Sequence, residues 1–310
     1  MTHRSVESLT IRMTSTQQKL QISTKRAKVI LCAGTIGTAS IALNSGLQFH
    51  EPLVGKGLID HAVWGVRFAR RSNPRSRDPI ILQCMINICG TTALLTVTVN
   101  ANFLLSGSSS LPIQQYLERD GTLIPPAKGR VDIKEKDFDT TAILLEFGAE
   151  LDEKNEVLNI ASPTPVIRVR RQNTYSDENF QLEMQKLVTL IQNTEFIGSG
   201  TDLASPGLNL PPAPRLSLLG FGVFSHEVGT MRMNGAGGRP GVVDENLQVN
   251  GFSNLHVCDL SVLPYSPPAN PTLTLAALSL RLADHLATLS RPGVVLSAAD
   301  HERNGTRNCW

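Results

Sequence analysis

Ala27-Lys28-Val29-Ile30-Leu31-Cys32-Ala33-Gly34 is an apolar run that ends in glycine, and Thr35 to Ser45 continues as a helix-like stretch closed by Gly46. The order predicts a strand, a tight turn and a helix. A strand apolar on both faces suits a parallel sheet covered by helices, so an α/β layer is expected near the N-terminus.

Toward the C-terminus the texture changes. From about 62 to 222 the chain alternates in the period of strands, with Pro125 and Pro126 paired and Asp152-Glu153-Lys154-Asn155-Glu156 as a polar turn. This is the pattern of a separate sheet-based domain. Within it, Phe180, Met184, Leu187, Val188 and Ile191 fall at helical spacing, so one amphipathic helix over Asp177 to Gln192 is expected to cover the sheet. Ser205 to Arg215 carries prolines at 206, 211, 212 and 214 and reads as a return linker. Beyond it, Val242 to Val249 and Phe252 to Cys258 flank Asn250-Gly251, a strong short signal for a hairpin. Asn270-Pro271 then opens an apolar helix to about His285, with Asn suited to the cap and Pro to the first turn. Leu273, Ala276, Ala277, Leu280 and Leu282 leave little polar face, which predicts burial of that helix.

The bulk composition excludes several classes. Hydrophobic residues make up 41% and charged residues 18% of 310 residues, a globular balance. Lys+Arg 29 against Asp+Glu 27 leaves a net charge of +2. The basic cluster Arg67, Arg70, Arg71, Arg75 and Arg77 is interleaved with polar residues, so a nucleic-acid partner is not expected. Five cysteines form no C-x-x-C pair, which argues against a zinc site and a disulfide framework, so no metal ligand is assigned. No charged and then apolar leader opens the sequence, and a cytoplasmic location is the default expectation. A glycosylation triplet at Asn304-Gly305-Thr306 decides nothing. Between Pro79 and Tyr116 no charged residue occurs, and Ile80 to Val99 is long enough to cross a bilayer. Gln83, Asn87 and Gly90, followed by the alternation Leu95-Thr96-Val97-Thr98-Val99-Asn100, favour strands over a membrane span.

The chemistry sits in a run of short motifs. His226-Glu227-Val228-Gly229-Thr230-Met231-Arg232-Met233, Val242-Val243-Asp244, Asn254 to Pro264 and Asn270-Pro271-Thr272-Leu273-Thr274 resemble, in order and spacing, the C-terminal signature of glucose-methanol-choline (GMC) oxidoreductases. Gly34 to Gly46 resembles a second signature of that family, and Val54-Gly55-Lys56-Gly57-Leu58-Ile59-Asp60-His61 resembles the segment after it. The resemblance covers about 27 to 287 and is thin between 63 and 140. It implies an α/β plus α+β fold class: a partial FAD-binding α/β domain interrupted by a sheet-based substrate-binding domain. The expected divisions are 1–61 for the flavin-domain part, 62–222 for the substrate domain, 223–295 for the return carrying the catalytic residues, and 296–310 for a polar tail.

The family resemblance also assigns roles. A histidine at the position of His226 takes the hydroxyl proton of an alcohol while hydride passes to flavin N5. An alcohol is too weak an acid to ionise alone at neutral pH, whereas imidazole can accept its proton as hydride leaves. Asn270 stands at the second position of the pair; its amide can orient a substrate oxygen and cannot act as a base. Outside such a motif a single histidine is more often structural, and Asn270 alone would be a helix cap. His61 and His256 are read as structural. The helix start at Pro271 and Thr272 is expected to present amide hydrogens to negative charge on the reduced flavin. Asp259 and Leu260, at a strand end, resemble a contact to the cofactor's ribityl or phosphate region, and Ala33-Gly34 a turn that lets the backbone approach it.

Other constellations fail. His226-Glu227 starts like H-E-x-x-H, but Thr230 ends the match. No G-x-S-x-G elbow is present. Gly198-Ser199-Gly200 and Gly220-Phe221-Gly222 do not continue as G-x-G-x-x-G, and the glycine-rich βαβ unit that normally holds the ADP half of FAD is absent from these residues. Without it the strand at 28–32 and the helix at 272–287 are expected to lose packing neighbours and expose apolar surface. Three functions stay open on the sequence. One is an FAD-dependent alcohol oxidoreductase, with oxygen or a quinone as acceptor, completed by a missing N-terminal segment or a partner chain. The others are a noncatalytic remnant and a binding protein reusing the substrate domain.

Overall fold

An exposed antiparallel hairpin, β1 (Ser8–Arg12) against β2 (Lys19–Ser23), opens the computed structural model. The structure describes residues 4–13, 15–71, 79–99, 111–118, 123–124, 138–160, 164–170, 172–197, 213–235 and 238–289. The paired prolines at 125 and 126, Gly198 to Gly200, most of the proline-rich 205–215 segment and the tail from 290 lie outside the described residues.

The strand, turn and helix expected at the N-terminal end are β3 (Val29–Leu31) and α1 (Gly34–Asn44). Gly34 supplies the turn with φ of 77°, a left-handed conformation open to glycine at no steric cost. Helix α1 buries Thr35, Thr38, Ala39, Ala42 and Leu43, one stripe at 3.6-residue spacing. The strand is not covered on both faces, which agrees with the exposure expected once the βαβ unit is missing. Among the described residues β3 pairs only with β12 (Leu255–Val257), in parallel, and Ile30 is 42% exposed while Val29 is buried.

The middle of the chain forms a six-stranded sheet among the described residues. β4 (Ala62–Arg71) and β8 (Phe138–Phe147) pair antiparallel along their whole length, Ala62 opposite Phe147. β6 (Thr91–Val99) flanks β8, β5 (Ile80–Ile88) forms the edge, and β7 (Gln115–Leu117) and β11 (Ser217–Leu218) flank β4. The uncharged stretch is thus a hairpin, turned at Cys89 and Gly90 with φ of 49° and 81°, the signs that a two-residue primed turn requires. No helix among the described residues is long and apolar enough to cross a membrane. A short pair, β9 (Glu156–Leu158) and β10 (Val166–Arg168), follows. Helix α2 (Glu178–Ile197) is capped by Asp177, whose carboxylate accepts from the Phe180 amide, and packs Met184 and Val188, both fully buried, against the sheet.

In the last third, the turn at Asn250-Gly251 forms where expected, with Gly251 at φ of 75° and the Phe252 amide donating to Val249 O. The arms are shorter than the sequence suggests. The Asp244 carboxylate accepts from the Asn246 and Gln248 amides and curls the first arm, while the second contributes only β12 and gives its other edge to β3. Helix α3 (Thr272–Leu289) starts where predicted, but it is not buried: Leu273 and Leu280 are 83% and 70% exposed, and Leu282 is its one buried residue among those described. One apolar cluster joins β3, α1 and β12 with Leu282; another joins the six-stranded sheet with α2. A small third cluster of Ile59, Ala149, Val228 and Leu263 unites the segments that meet at the site below.

Candidate functional site

Two short segments build the site by pairing. Val228 and Ile59 exchange backbone hydrogen bonds of 2.8 and 3.2 Å in an antiparallel bridge. Two residues out from that bridge on each segment, the rings of His61 and His226 come together. Close approach of these backbones needs glycine. A Cβ at Gly229 would lie 2.3 Å from Gly57 O, and one at Gly57 would lie 2.7 Å from Arg232 Nη1. Both glycines have positive φ. Arg232 secures the crossing by donating to Lys56 O and to Glu153 Oε1.

The two imidazoles meet edge to face, with His226 Nδ1 3.1 Å from His61 Nε2 and centroids 4.9 Å apart. His61 is buried, and its Nδ1 lies 3.3 Å from Pro267 O. Two carboxyl groups stand behind it: Glu146 Oε2 of β8 at 3.5 Å and Asp60 Oδ1 at 3.7 Å from Nε2. Asp60 is held by the amides of His61 and Gly222. Burial pushes the Glu146 carboxyl up to about 7, helped by the negative Asp60. Burial also lowers His61, and burial followed by the neighbouring His61 lowers His226. Although the separations approach those of ion pairs, both His61 and Glu146 are driven toward their neutral forms, because desolvation exceeds their attraction. The half-buried His226 is therefore a neutral imidazole near pH 7. No hydrogen bond reaches its Nε2 among the described residues.

Asn270 is exposed and makes no hydrogen bond to His226. Its Oδ1 accepts from the Thr272 amide at 3.1 Å and the Thr272 hydroxyl at 2.8 Å, so it caps α3 and leaves its NH2 group free to donate. Pro271 is buried, whereas Thr272 and Leu273 are exposed. The amides of Leu273 and Thr274 have no backbone acceptor, as expected in a first helical turn. Asp259 brings the other four assigned positions into two adjoining pairs. Its Oδ2 accepts from the Gly34 amide at 3.1 Å and from the Thr38 hydroxyl, and its Oδ1 from the Ser261 amide and hydroxyl. The Ala33-Gly34 turn is thereby fastened beside Asp259-Leu260. A Cβ at Gly34 would meet nothing within 4 Å, so the space over this turn is open.

His61, Asp60 and Glu146 were not assigned from sequence. Asp60-His61 lies in a quoted motif, but only the register with Val228 makes it face the base; Glu146 lies 85 positions from His61 in sequence and arrives through the β4–β8 pairing. His256 is buried with neither ring nitrogen hydrogen-bonded among the described residues, and burial, with the positive Lys28 nearby, pushes it down to about 4. A cavity of about 480 Å³ lined by Gly148, Glu150, Asn173, Tyr175 and Tyr265 opens near this region, but neither His226 nor Asn270 lines it.

Comparison with known proteins agrees with these motifs. Two GMC oxidoreductase family models match, the N-terminal one over residues 2–63 and the C-terminal one over 157–279. Pyranose dehydrogenase 3 of Leucoagaricus meleagris is 25% identical over 288 residues, which span 80% of this chain and 47% of that protein. A pyranose dehydrogenase of Agaricus xanthodermus is 25% identical, with coverage of 78% and 46%. The chain thus spans about half the length of these curated relatives. Among solved structures, pyridoxine 4-oxidase from Mesorbium loti superposes with a TM-score of 0.51 at 17% identity, covering 91% of this chain and 54% of that one. Formate oxidase superposes with a TM-score of 0.57 at 16% identity, with coverage of 90% and 57%; these two likenesses speak to fold alone. With its motifs, its mixed α/β fold and both family models in agreement, the chain belongs to the GMC oxidoreductase family.

Proposed function

We propose that this chain carries the catalytic side of an FAD-dependent oxidoreductase that oxidises a primary or secondary alcohol, a sugar hydroxyl being the first class to test. The observation that carries the proposal is the geometry of His226: a half-buried imidazole with Nδ1 engaged by His61 and Nε2 without a hydrogen-bond partner among the described residues, its affinity for a proton lowered by burial. Such a group can take a hydroxyl proton at Nε2, and burial keeps it unprotonated at neutral pH. The NH2 of Asn270 would orient the substrate oxygen while its Oδ1 remains committed to the helix cap. The division 1–61, 62–222 and 223–295 into flavin-side, substrate-side and returning parts is supported by one apolar cluster that lies within 62–222 and another that joins 1–61 with 223–295, Val157 being the one buried residue of the latter from the middle part.

The residues present fit part of a flavin dinucleotide. Open space over Gly34, the adjoining Ala33 and Leu260 backbones, and the exposed first turn after Pro271 and Thr272 offer approach and amide donors for an anionic group. Asp259 would act through the turn it fastens, since four protein donors already occupy its oxygens. When bound, FAD supplies the hydride acceptor. The ADP half would be held by another segment or a partner chain, because no strand, G-x-G-x-x-G and helix unit occurs in these residues. Oxygen or a quinone would then reoxidise the flavin.

The test pairs this chain with a dinucleotide-binding segment from a GMC relative and follows anaerobic bleaching of flavin absorbance by a panel of sugars and aryl alcohols. His226→Ala is expected to slow bleaching by roughly 100- to 10,000-fold while leaving the flavin bound. In the parent, the rate is expected to fall on acidification below the ordinary imidazole range, as His226 becomes protonated. Retention of flavin without bleaching by any alcohol, or full activity of His226→Ala, would refute the proposal.

A further inference from the structure

We propose that His61 is a positioning residue that sets the tautomer of His226, holding its proton on Nδ1 so that Nε2 is left as the base. The proposal rests on His226 being that base. The geometry runs in one direction along a chain of three groups. Pro267 O is a carbonyl and can only accept, so His61 Nδ1, 3.3 Å away, must carry the hydrogen. A neutral imidazole has one N–H, which leaves the lone pair of His61 on Nε2. That lone pair faces His226 Nδ1 at 3.1 Å, so His226 is the donor and its own lone pair lies on Nε2. The reverse arrangement would set the lone pair of His61 Nδ1 against the Pro267 carbonyl oxygen in a buried site, at the cost of an unsatisfied acceptor pair.

The neighbours complete the device. When the substrate O–H bond breaks, its electron pair stays on the substrate oxygen and its proton joins His226 Nε2. The resulting imidazolium keeps Nδ1–H directed at His61 Nε2, and that same atom lies 3.5 Å from Glu146 Oε2 and 3.7 Å from Asp60 Oδ1. Positive charge shared across the two rings therefore develops toward two carboxyl groups fixed by the backbone, one on β8 and one beside β4. Asp60 is pinned by two amides, and Glu146 is carried on a strand paired on both sides.

The side chains of His61, Glu146 and His226 also place ligand-type atoms within 4.8 Å of one another, so a divalent metal could in principle replace the shared proton. Imidazole nitrogens report the difference directly. The full chain, labelled with 15N-histidine, would be examined by long-range proton–nitrogen correlation, with the His226 signals assigned from a His226→Gln variant. The expected spectrum shows His226 protonated on Nδ1 and bare on Nε2. His61→Gln, whose amide oxygen can still accept, should keep that tautomer, whereas His61→Phe should lose it in favour of a proton on Nε2. A merely structural role for His61 would not separate these two variants.

A wild-type His226 protonated on Nε2 would overturn the proposal even if neither variant folds. So would an unchanged tautomer in a folded His61→Phe. Stoichiometric zinc retained through desalting, with no proton on Nδ1, would overturn it in favour of a metal centre. Because no flavin or substrate enters this measurement, its outcome is independent of whether an alcohol is oxidised. A correct tautomer in a protein that oxidises nothing would sink the functional reading and spare this one.

Discussion

Helices α2 and α3 are the two long helices of the described chain, and they end in opposite situations. α2 carries charged residues along one side, yet it buries Met184 and Val188 completely on the six-stranded sheet. α3 is the more apolar in sequence, Thr-Leu-Thr-Leu-Ala-Ala-Leu-Ser-Leu over 272–280, yet it shows Leu273 and Leu280 to solvent and buries only Leu282. Burial is decided by the face a helix meets. α2 meets a wide sheet; α3 joins the cluster of β3, α1 and β12 through Leu282, with Leu278 and Leu286 partly buried against it, and leaves Leu273 and Leu280 uncovered. The same contrast holds for strands, since β8 is paired on both edges and Ile30 of β3 is open on one face.

The sharpest break between the two helices is expected from truncation. Met184→Ala should cost about 2 to 5 kcal/mol in chemical denaturation, through lost transfer energy and a cavity that the sheet cannot close. A loss below about 0.5 kcal/mol, the range of ordinary surface changes, would show that α2 is no better seated than α3.

Glu146 tests the electrostatics under the same sheet. Its carboxyl is raised from its ordinary value of 4.5 to about 7 in the fold. The folded state then binds more proton than the unfolded state between these limits, so this group's contribution is full below 4.5 and is lost as pH rises through about 7. Glu146→Gln removes that loss. It should raise thermal stability at pH 8 by up to about 3 kcal/mol while changing little at pH 4. Equal stabilisation at both pH values would sink the idea that desolvation of the carboxylate is the cause. His61 and His226 shift the other way: their neutral forms contribute above 6.5, and that contribution is lost as pH falls through their lowered values.

Smaller differences are expected at the start and along the outer face of α3. Asn270→Ala should cost about 1 kcal/mol as the Thr272 amide loses its acceptor, and Asn270→Asp, which keeps that acceptor, should restore most of it. Thermal melts of the pair decide the matter, and equal melts of parent and Asn270→Ala would remove the cap from the account. The smallest effect on stability belongs to the double variant Leu273→Ser with Leu280→Ser, within about 0.5 kcal/mol, because neither side chain is buried. Its readout is association: light scattering should show less self-association than in the parent, since the two leucines lie seven residues apart on one exposed stripe. Unchanged scattering would mean that this stripe is not where copies meet.

Much of this was legible in sequence because it is local. Glycines at turns, Asn270-Pro271 at a helix start and the spacing of Phe180, Met184 and Val188 act through neighbours a few residues apart, and each element formed where its pattern placed it. The burial that the apolar faces of α3 suggested failed, and the exposure expected without a βαβ unit is what forms, for a nonlocal reason: composition sets how apolar a face is and says nothing about whether a partner surface covers it. The shortened hairpin arms failed in the same way, because β3 competes for one edge of β12 and a side chain of Asp244 competes for backbone amides. His226 could be singled out from its motif, which is a property of the chain. What surrounds it could not, for Ile59 must pair with Val228 before His61 faces His226, and β4 must pair with β8 before Glu146 stands behind both. Sequence alone determined the local turns, the helix starts and which imidazole carries the motif; the tertiary structure decided how far strands run, which faces are covered and which groups surround that imidazole, because these depend on contacts between segments far apart in the chain.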